Sequence, residues 1–365
     1  MDIDVKEKSA LIAMSGGVDS TVAAYLMLKA DYRCLGVNMC LRPEEDGCTR
    51  RDAEDASGAA AQLGIPCEVL SCTQDFQRQV IDKFIRVYEE GGTPNPCVDC
   101  NRCLKFGRLL QEAEARGLDF VVTGHYARIQ YDEDRGRWLL KKALDAGKDQ
   151  SYVLYMLTQE QLAHIQFPLG GMEKQQVRAL AETLGLANAG RHDSQDICFV
   201  PDGDYAAFME RASGRTYPAG DFLDRTGRVV GRHRGAVRYT LGQRKGLGLA
   251  MGAPVYVCGK DMARNTVTVG PEEALYSRFV RVERLNWISI PEPEDCVRVQ
   301  AKLRYRQREQ WAVIRPAKDG TVVLEFDTPQ RAVTPGQAAV FYDGDLVVGG
   351  GTIVSAWNRE EEAAK

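Results

Sequence analysis

Ala10-Leu11-Ile12-Ala13-Met14-Ser15-Gly16-Gly17-Val18-Asp19-Ser20 is the stretch on which the fold turns. The apolar run 10–14 has the length of a buried strand, and residues 21–29 read as a helix. A strand that turns through two glycines into a helix presents bare backbone N–H groups at a helix N-terminus. Such a nest binds phosphate, because the helix dipole favours an anion there. Ser15 and Ser20 flank the turn with hydroxyls able to donate to the same anion. No lysine follows the glycines, which excludes the Gly-x-x-x-x-Gly-Lys-Ser/Thr phosphate loop.

Working outward, strand-like residues 11–14, 34–39, 67–70 and 120–123 alternate with helical patterns at 21–29, 52–63, 75–90 and 104–116. The alternation predicts a parallel sheet covered on both faces, with ligands beyond the carboxyl ends of its strands. Two further junctions, after Val37-Asn38-Met39 and at Thr123-Gly124-His125-Tyr126, are expected to open on the same cleft. Past about Tyr205, glycine and β-branched residues rise and helical periodicity nearly vanishes. Residues 237–240, 254–257 and 266–269 read as strands, and 296–305, 311–315, 321–326, 338–342 and 346–353 suggest a small antiparallel barrel. The expected domains are 1–203, α/β with a parallel sheet; 204–270, basic and mostly β; and 271–365, the β-barrel. Residues 360–365 read as a frayed polar tail.

With 365 residues, 44% hydrophobic and 27% charged, the composition is that of a soluble globular protein. No apolar run approaches the ~20 residues of a membrane span. The charged stretch 1–9 lacks the apolar segment of a signal peptide, so a cytoplasmic location without membrane contact is expected. Eleven unevenly spaced cysteines argue against a disulfide scaffold, and Cys34, Cys67, Cys258 and Cys296 are expected as small buried hydrophobes. The net charge of −4 hides an asymmetry. Residues 1–203 carry 23 basic and 31 acidic side chains, 204–270 carry 11 and 5, and 271–365 carry 13 and 15. A basic middle on an acidic protein predicts one surface meant for a polyanion.

The remaining chemistry is sulfur. Pro94 and Pro96 make 91–101 read as a rigid loop that carries Cys97 and Cys100, with Cys103 close behind. A cysteine at the mouth of a helix is expected to have its thiolate stabilised by the dipole. Cys198 lies in His192-Asp193-Ser194-Gln195-Asp196-Ile197-Cys198-Phe199-Val200, at an element boundary. Cys97 and Cys100 with the distant Cys198 could hold an iron–sulfur cluster through three thiolates, or zinc. The plain alternative makes Cys97 a bystander.

Ser-Gly-Gly-x-Asp-Ser resembles the pyrophosphate (PP) loop of ATP pyrophosphatases, adenine-nucleotide α-hydrolase-like enzymes that split ATP into AMP and pyrophosphate. In order after it stand Asn95-Pro96-x-x-x-Cys100-Asn101, Gly124-His125-Tyr126, Lys148-Asp149-Gln150-Ser151 and Asp193-Ser194-x-x-Ile197-Cys198-Phe199. Gly242-Gln243-Arg244-Lys245-Gly246, Arg304-Tyr305-Arg306-Gln307 and Pro335-Gly336-Gln337 follow. Together, over nearly the whole chain, they resemble the tRNA-specific 2-thiouridylase family.

The resemblance implies a sulfurtransferase that uses ATP with Mg2+ to adenylate the C2 oxygen of the wobble uridine of tRNA. A persulfide then displaces AMP and leaves 2-thiouridine. It implies Cys198 as persulfide carrier and Cys100 as nucleophile, with a Cys100–Cys198 disulfide in the cycle. It places ATP on Ala13, Met14, Ser15, Gly16, Gly17, Val18, Asp19, Ser20, Met39 and Gly124, and the target base on Asn95, Pro96 and Cys97. It places tRNA on His125, Lys148, Asp149, Gln150, Arg304, Tyr305 and Gln337. The implied partners are tRNA and a sulfur donor protein, either a cysteine desulfurase or a relay carrier. Many members have Asp where this chain has Cys97, which keeps a cluster-assisted version of the reaction open. Read from the residues alone, His125 is a structural histidine at a strand end, and Asp19 an N-cap, a magnesium ligand or both. An adenylating amide-forming ligase would share the loop but leaves the paired cysteines and the basic middle unexplained. A non-catalytic metal-binding RNA-interaction protein using Cys97, Cys100 and Cys103 leaves the Ser15 loop unexplained.

Overall fold

The computed structural model describes residues 8–43, 47–186, 188 and 197–358, so the stretch before Lys8 and the expected tail at 360–365 lie outside it. In β1 (Ser9–Ala13), Ala10, Leu11 and Ile12 are wholly buried, which is why the run is continuously apolar instead of alternating. β2 (Arg33–Cys40) and β3 (Cys67–Ser71) extend the sheet on one side, and β4 (Phe120–Val122) on the other. A hairpin, β5 (Ala127–Asp132) and β6 (Arg137–Lys142), then leaves this sheet, and β7 (Ile165–Gln166) returns to its edge. The order is β3-β2-β1-β4-β7, all parallel. Growth of the sheet reverses between β1 and β4, and there the carboxyl ends of the strands leave a crevice.

α1 (Val18–Lys29) and α2 (Gly47–Leu63) cover one face, packing Val22, Ala23, Ala56 and Ala60 against Ala10 and Ile12. Leu109, Ala113 and Leu118 cover the other against Leu11, Val37 and Val121. The two prolines do not keep 91–101 irregular. Helix begins at Pro96 and runs through Pro96–Cys100, a π-helical Asn101–Arg108 and Leu109–Ala115. Pro96 occupies the first helical position, where its missing N–H would have had no intrahelical partner.

The middle unit is a four-stranded sheet in the order β10-β11-β8-β9, built from β8 (Gly220–Leu223), β9 (Val229–His233), β10 (Tyr256–Asp261) and β11 (Thr266–Gly270). The strand expected at 237–240 is absent. Ala236–Arg238 form a short 3-10 turn after Gly235, whose φ of 103° only glycine adopts without strain, and that turn overrides the β-propensity of Val237. Helix Tyr205–Ser213 stands where helical periodicity was faint, capped by Asp204 and closed by Gly214 at φ +67°.

The last unit is the antiparallel barrel. β12 (Tyr276–Trp287), β13 (Val297–Lys302), β14 (Gln310–Pro316), β15 (Val322–Arg331), β16 (Ala338–Asp343) and β17 (Leu346–Trp357) run in the order β12-β15-β14-β13-β16-β17. The circle closes by pairing β12 with β17. β6 adds to β17 at Lys141–Leu346, so the hairpin of the first unit extends the barrel's sheet. Among the described residues, no helix is long and apolar enough to cross a membrane.

Candidate active site

The Ser15 loop is held from within. Gly16 has φ +73°, and a Cβ there would lie 2.6 Å from Asp55 Cβ. Ser20 Oγ donates to Gly17 O at 3.0 Å and accepts from Ser15 N–H at 3.2 Å. Gly17, not Asp19, is the N-cap of α1. Asp19 turns away from its own helix start because both its carboxylate oxygens accept from Lys174 Nζ at 2.8 Å, and Tyr126 Oη donates to Oδ1 at 2.8 Å. Lys174 is buried at the start of helix Lys174–Thr183. The loop that lacks a lysine in sequence therefore receives one from 155 residues away. No local pattern signals this pairing. Gly124 closes the other side, where an added Cβ would stand 2.8 Å from the Asp19 carbonyl carbon and 2.9 Å from Ser20 N.

Three strand ends meet at a cavity of about 430 Å³. The end of β1 and its turn into α1 give Ala13, Met14, Ser15, Asp19 and Ser20; β2 gives Val37, Asn38 and Met39; the turn after β4 gives Thr123, Gly124 and His125. Cys100 and Lys105 complete the wall. A larger cavity of about 1100 Å³ shares Ser15, Asp19, Asp52 and Gln150 with it, and is lined also by Gly17, Val18, Lys148, Asp149, Cys198 and Tyr305. The junctions that were expected to open on one cleft do so.

Cys97 is exposed and Cys100 half-buried on helix Pro96–Cys100; Cys198 is exposed in the turn that follows Ile197. Phe199 anchors that turn, its ring packing at 5.1 Å from Phe84, 5.0 Å from Phe208 and 5.7 Å from Phe76. Asp193 and Ser194 lie outside the described residues. Cys97, Cys103 and Cys198 are all electrostatic neighbours of Cys100, so folding gathers thiols that the chain keeps far apart, and they are free.

The helix start does not activate these thiols. Burial pushes the Cys100 thiol up to about 12, against the weaker attraction of Lys105. Desolvation by the protein packed around them raises Cys97 and Cys198 as well, although part of each side chain meets solvent. Desolvation outweighs a dipole that acts at one end of a short turn. Among the described residues no three Cys, His, Asp or Glu side chains converge as a single metal ion requires. Cys34 is buried as expected and Cys67 and Cys258 are half-buried, but Cys296 is exposed. It sits just before β13, where the Arg315 guanidinium approaches it at 3.9 Å.

Lys148, Gln150 and Tyr305 face the larger cavity together with Cys198. Tyr305 Oη donates to Asp149 O at 3.1 Å, and Lys302 Nζ lies 5.8 Å from its ring centre. The Asp149 carboxylate folds its own turn, accepting from Ala143 N–H at 3.0 Å and Ser151 Oγ at 2.8 Å. His125 is buried with Nδ1 2.7 Å from Thr123 Oγ1 and Nε2 3.5 Å from Lys105 Nζ; burial, then Lys105, hold its pKa well below the usual range, so it is neutral. Arg304 donates to Ala332 O at 2.7 Å and to Thr334 Oγ1 at 2.9 Å. Gln337 donates to Thr93 O and Pro94 O, while Pro96 is buried. Asn95 lines a separate cavity of about 240 Å³ between the helix and the barrel.

A parallel sheet ending in a Ser-Gly-Gly-x-Asp-Ser loop at its point of reversal, followed by a small β unit and a closed barrel, defines an enzyme class built on a HUP domain. The matching family models are the tRNA methyl transferase HUP domain at 8–202, the tRNA methyl transferase PRC-barrel domain at 207–271 and the aminomethyltransferase beta-barrel domain at 277–353. The chain is 48% identical over 358 residues to the tRNA-specific 2-thiouridylase MnmA of Acetivibrio thermocellus, covering 96% of this chain and 100% of that one. It is 50% identical over 353 residues to the protein of the same name from Moorella thermoacetica, covering 94% and 99%. The chain belongs to the tRNA-specific 2-thiouridylase family. Among solved structures, a tRNA thiolase, NcsA, from Methanococcus maripaludis with its iron–sulfur cluster is 20% identical over 56% of this chain and 66% of that one, with a TM-score of 0.34.

Proposed function

We propose that this protein is a tRNA uridine 2-sulfurtransferase that adenylates the C2 oxygen of the wobble uridine and replaces it with sulfur. The observation that carries the reading is the shared wall. The cavity at the Ser15 loop and the cavity that holds Cys198 have Ser15, Asp19, Asp52 and Gln150 in common, and Cys100 lies on the first. A nucleotide bound in one is thus beside a base bound in the other.

Mg–ATP enters as substrate. Its adenosine lies against Met39 and Gly124, and its phosphates on the N–H groups of the Ser15 loop, beside the Lys174 ammonium. Lys148 holds tRNA phosphate, while Tyr305 offers a face for stacking and Gln150 an edge for reading the unpaired base. The C2 oxygen attacks the α-phosphate and pyrophosphate leaves. A donor protein, a cysteine desulfurase or a relay carrier, loads sulfur on the exposed Cys198. The Cys100 thiolate attacks Cys198 Sγ, which breaks the persulfide S–S bond and forms a Cys100–Cys198 disulfide. The hydrosulfide released adds at C2, and AMP departs with the original oxygen. A cellular dithiol then returns two electrons to the disulfide. tRNA maturation of this kind sets the protein in the cytoplasm.

The test incubates the protein with ATP, magnesium, a persulfide donor and unmodified tRNA, and measures AMP and 2-thiouridine. Both are expected in equal amounts, and Cys198→Ser is expected to abolish thiolation while tRNA still binds. AMP without thiouridine in the wild type would instead favour an amide-forming ligase. Full thiolation by Cys198→Ser would sink the persulfide assignment.

A further inference from the structure

The barrel is hydrogen-bonded to the loop that leads into the thiol helix. Gln337, between β15 and β16, donates its side-chain amide to Thr93 O at 2.9 Å and to Pro94 O at 3.1 Å. Thr93 N–H donates to Pro335 O at 2.8 Å in the opposite direction. The two segments meet backbone to backbone. A Cβ on Gly336 would lie 2.8 Å from Val87 Cγ1 and 3.1 Å from Thr93 O, and one on Gly92 would lie 3.0 Å from Pro335 O. The loop has its own reason to need an outside donor. Pro94 and Pro96 bring no N–H, which leaves the loop fewer donors of its own, and Pro94 is buried away from water. The next residues are the first turn of the helix that carries Cys97 and Cys100.

We infer that Gln337 is a positioning residue: its amide latches the 93–96 loop to the barrel and so sets Cys100 against the nucleotide cavity. Family resemblance gives Gln337 to tRNA, but its donors face the protein's own loop. The consequence for the reaction rests on the sulfurtransferase reading, whereas the latch itself does not. Gln337 backbone atoms also pair with Ile353 of β17, its carbonyl accepting from Ile353 N–H at 2.8 Å, so the latch is rooted in barrel register.

Gln337→Met keeps the length and removes the donors. Gln337→Glu keeps the shape and aims an acceptor at two carbonyls. Thermal melting identifies which of the two stays folded, and that one is assayed. In full-length protein without ligands, iodoacetamide labelling of Cys100 is expected to accelerate roughly tenfold as the loop opens. Cys296, exposed on the barrel, serves as the internal control and keeps its rate. With substrates, kcat for thiolation is expected to fall about tenfold with KM for tRNA unchanged, the pattern of a disturbed arrangement instead of weakened binding. Weaker tRNA binding with unaltered Cys100 labelling would overturn the latch and return Gln337 to the RNA. If the wild type forms no thiouridine, the functional reading fails, and the labelling result still decides the latch.

Discussion

Cys100 shows how one residue's surroundings contradict its motif. Its place near the start of a helix argues for a low thiol pKa, yet burial lifts it to about 12, and Lys105 is the group that pulls it down. Below its pKa, a thiol gains thiolate about tenfold per pH unit. Alkylation of Cys100 is therefore expected to climb log-linearly from pH 7 to pH 9, whereas a plateau below pH 8 would mean that the helix start does stabilise the thiolate. Lys105→Met removes the opposing attraction and is expected to slow labelling at every pH in that range. His125 is another case. Gly124-His125-Tyr126 reads as a contact for RNA, but the imidazole is neutral, buried and occupied on both nitrogens.

At the scale of elements, the crevice depends on two strand-to-helix turns touching. Gly124→Ala puts a methyl 2.8 and 2.9 Å from backbone atoms of Asp19 and Ser20, which cannot swing aside as a side chain can. Overpacking of this kind costs about 1–3 kcal/mol, so ATP affinity measured by calorimetry is expected to drop roughly tenfold. Unchanged affinity would show that the two turns separate when nucleotide enters. Such turns were legible because their residues are local: an apolar run, two glycines, a helix start. β5 and β6 were not, since a polar hairpin in an α/β stretch has no periodicity of its own and is stabilised by the barrel it joins. β12 was missed because charged residues interrupt it and its pairing with β17 slips between Glu283 and Asn286, beside Arg284 at φ +52°. The Asp19–Lys174 pair and the Gln337 latch join distant parts of the chain, which spacing in one sequence cannot reveal.

For the whole molecule, the charge asymmetry becomes a surface. Arg232, Arg234, Arg244 and Lys245 of the middle unit are exposed and form no ion pair among the described residues, unlike Arg215, Arg228 and Arg238. Replacing the four with Gln is expected to flatten the dependence of log Kd for tRNA on log salt, by about 0.7–0.9 for each phosphate left without its cation. An unaltered slope would place the polyanion elsewhere. The hairpin that joins the first unit to the barrel bears on how the chain is made. Arg128 in β5 pairs with Asp345, just before β17 and 217 positions later. At about 5–20 residues per second, a ribosome needs roughly 10–40 s to deliver that partner. During that interval β6 presents an unpaired edge, the kind of template on which nascent chains aggregate. The first unit thus emerges with an unfinished hairpin edge, and β17, synthesised long afterwards, is the strand that seals it.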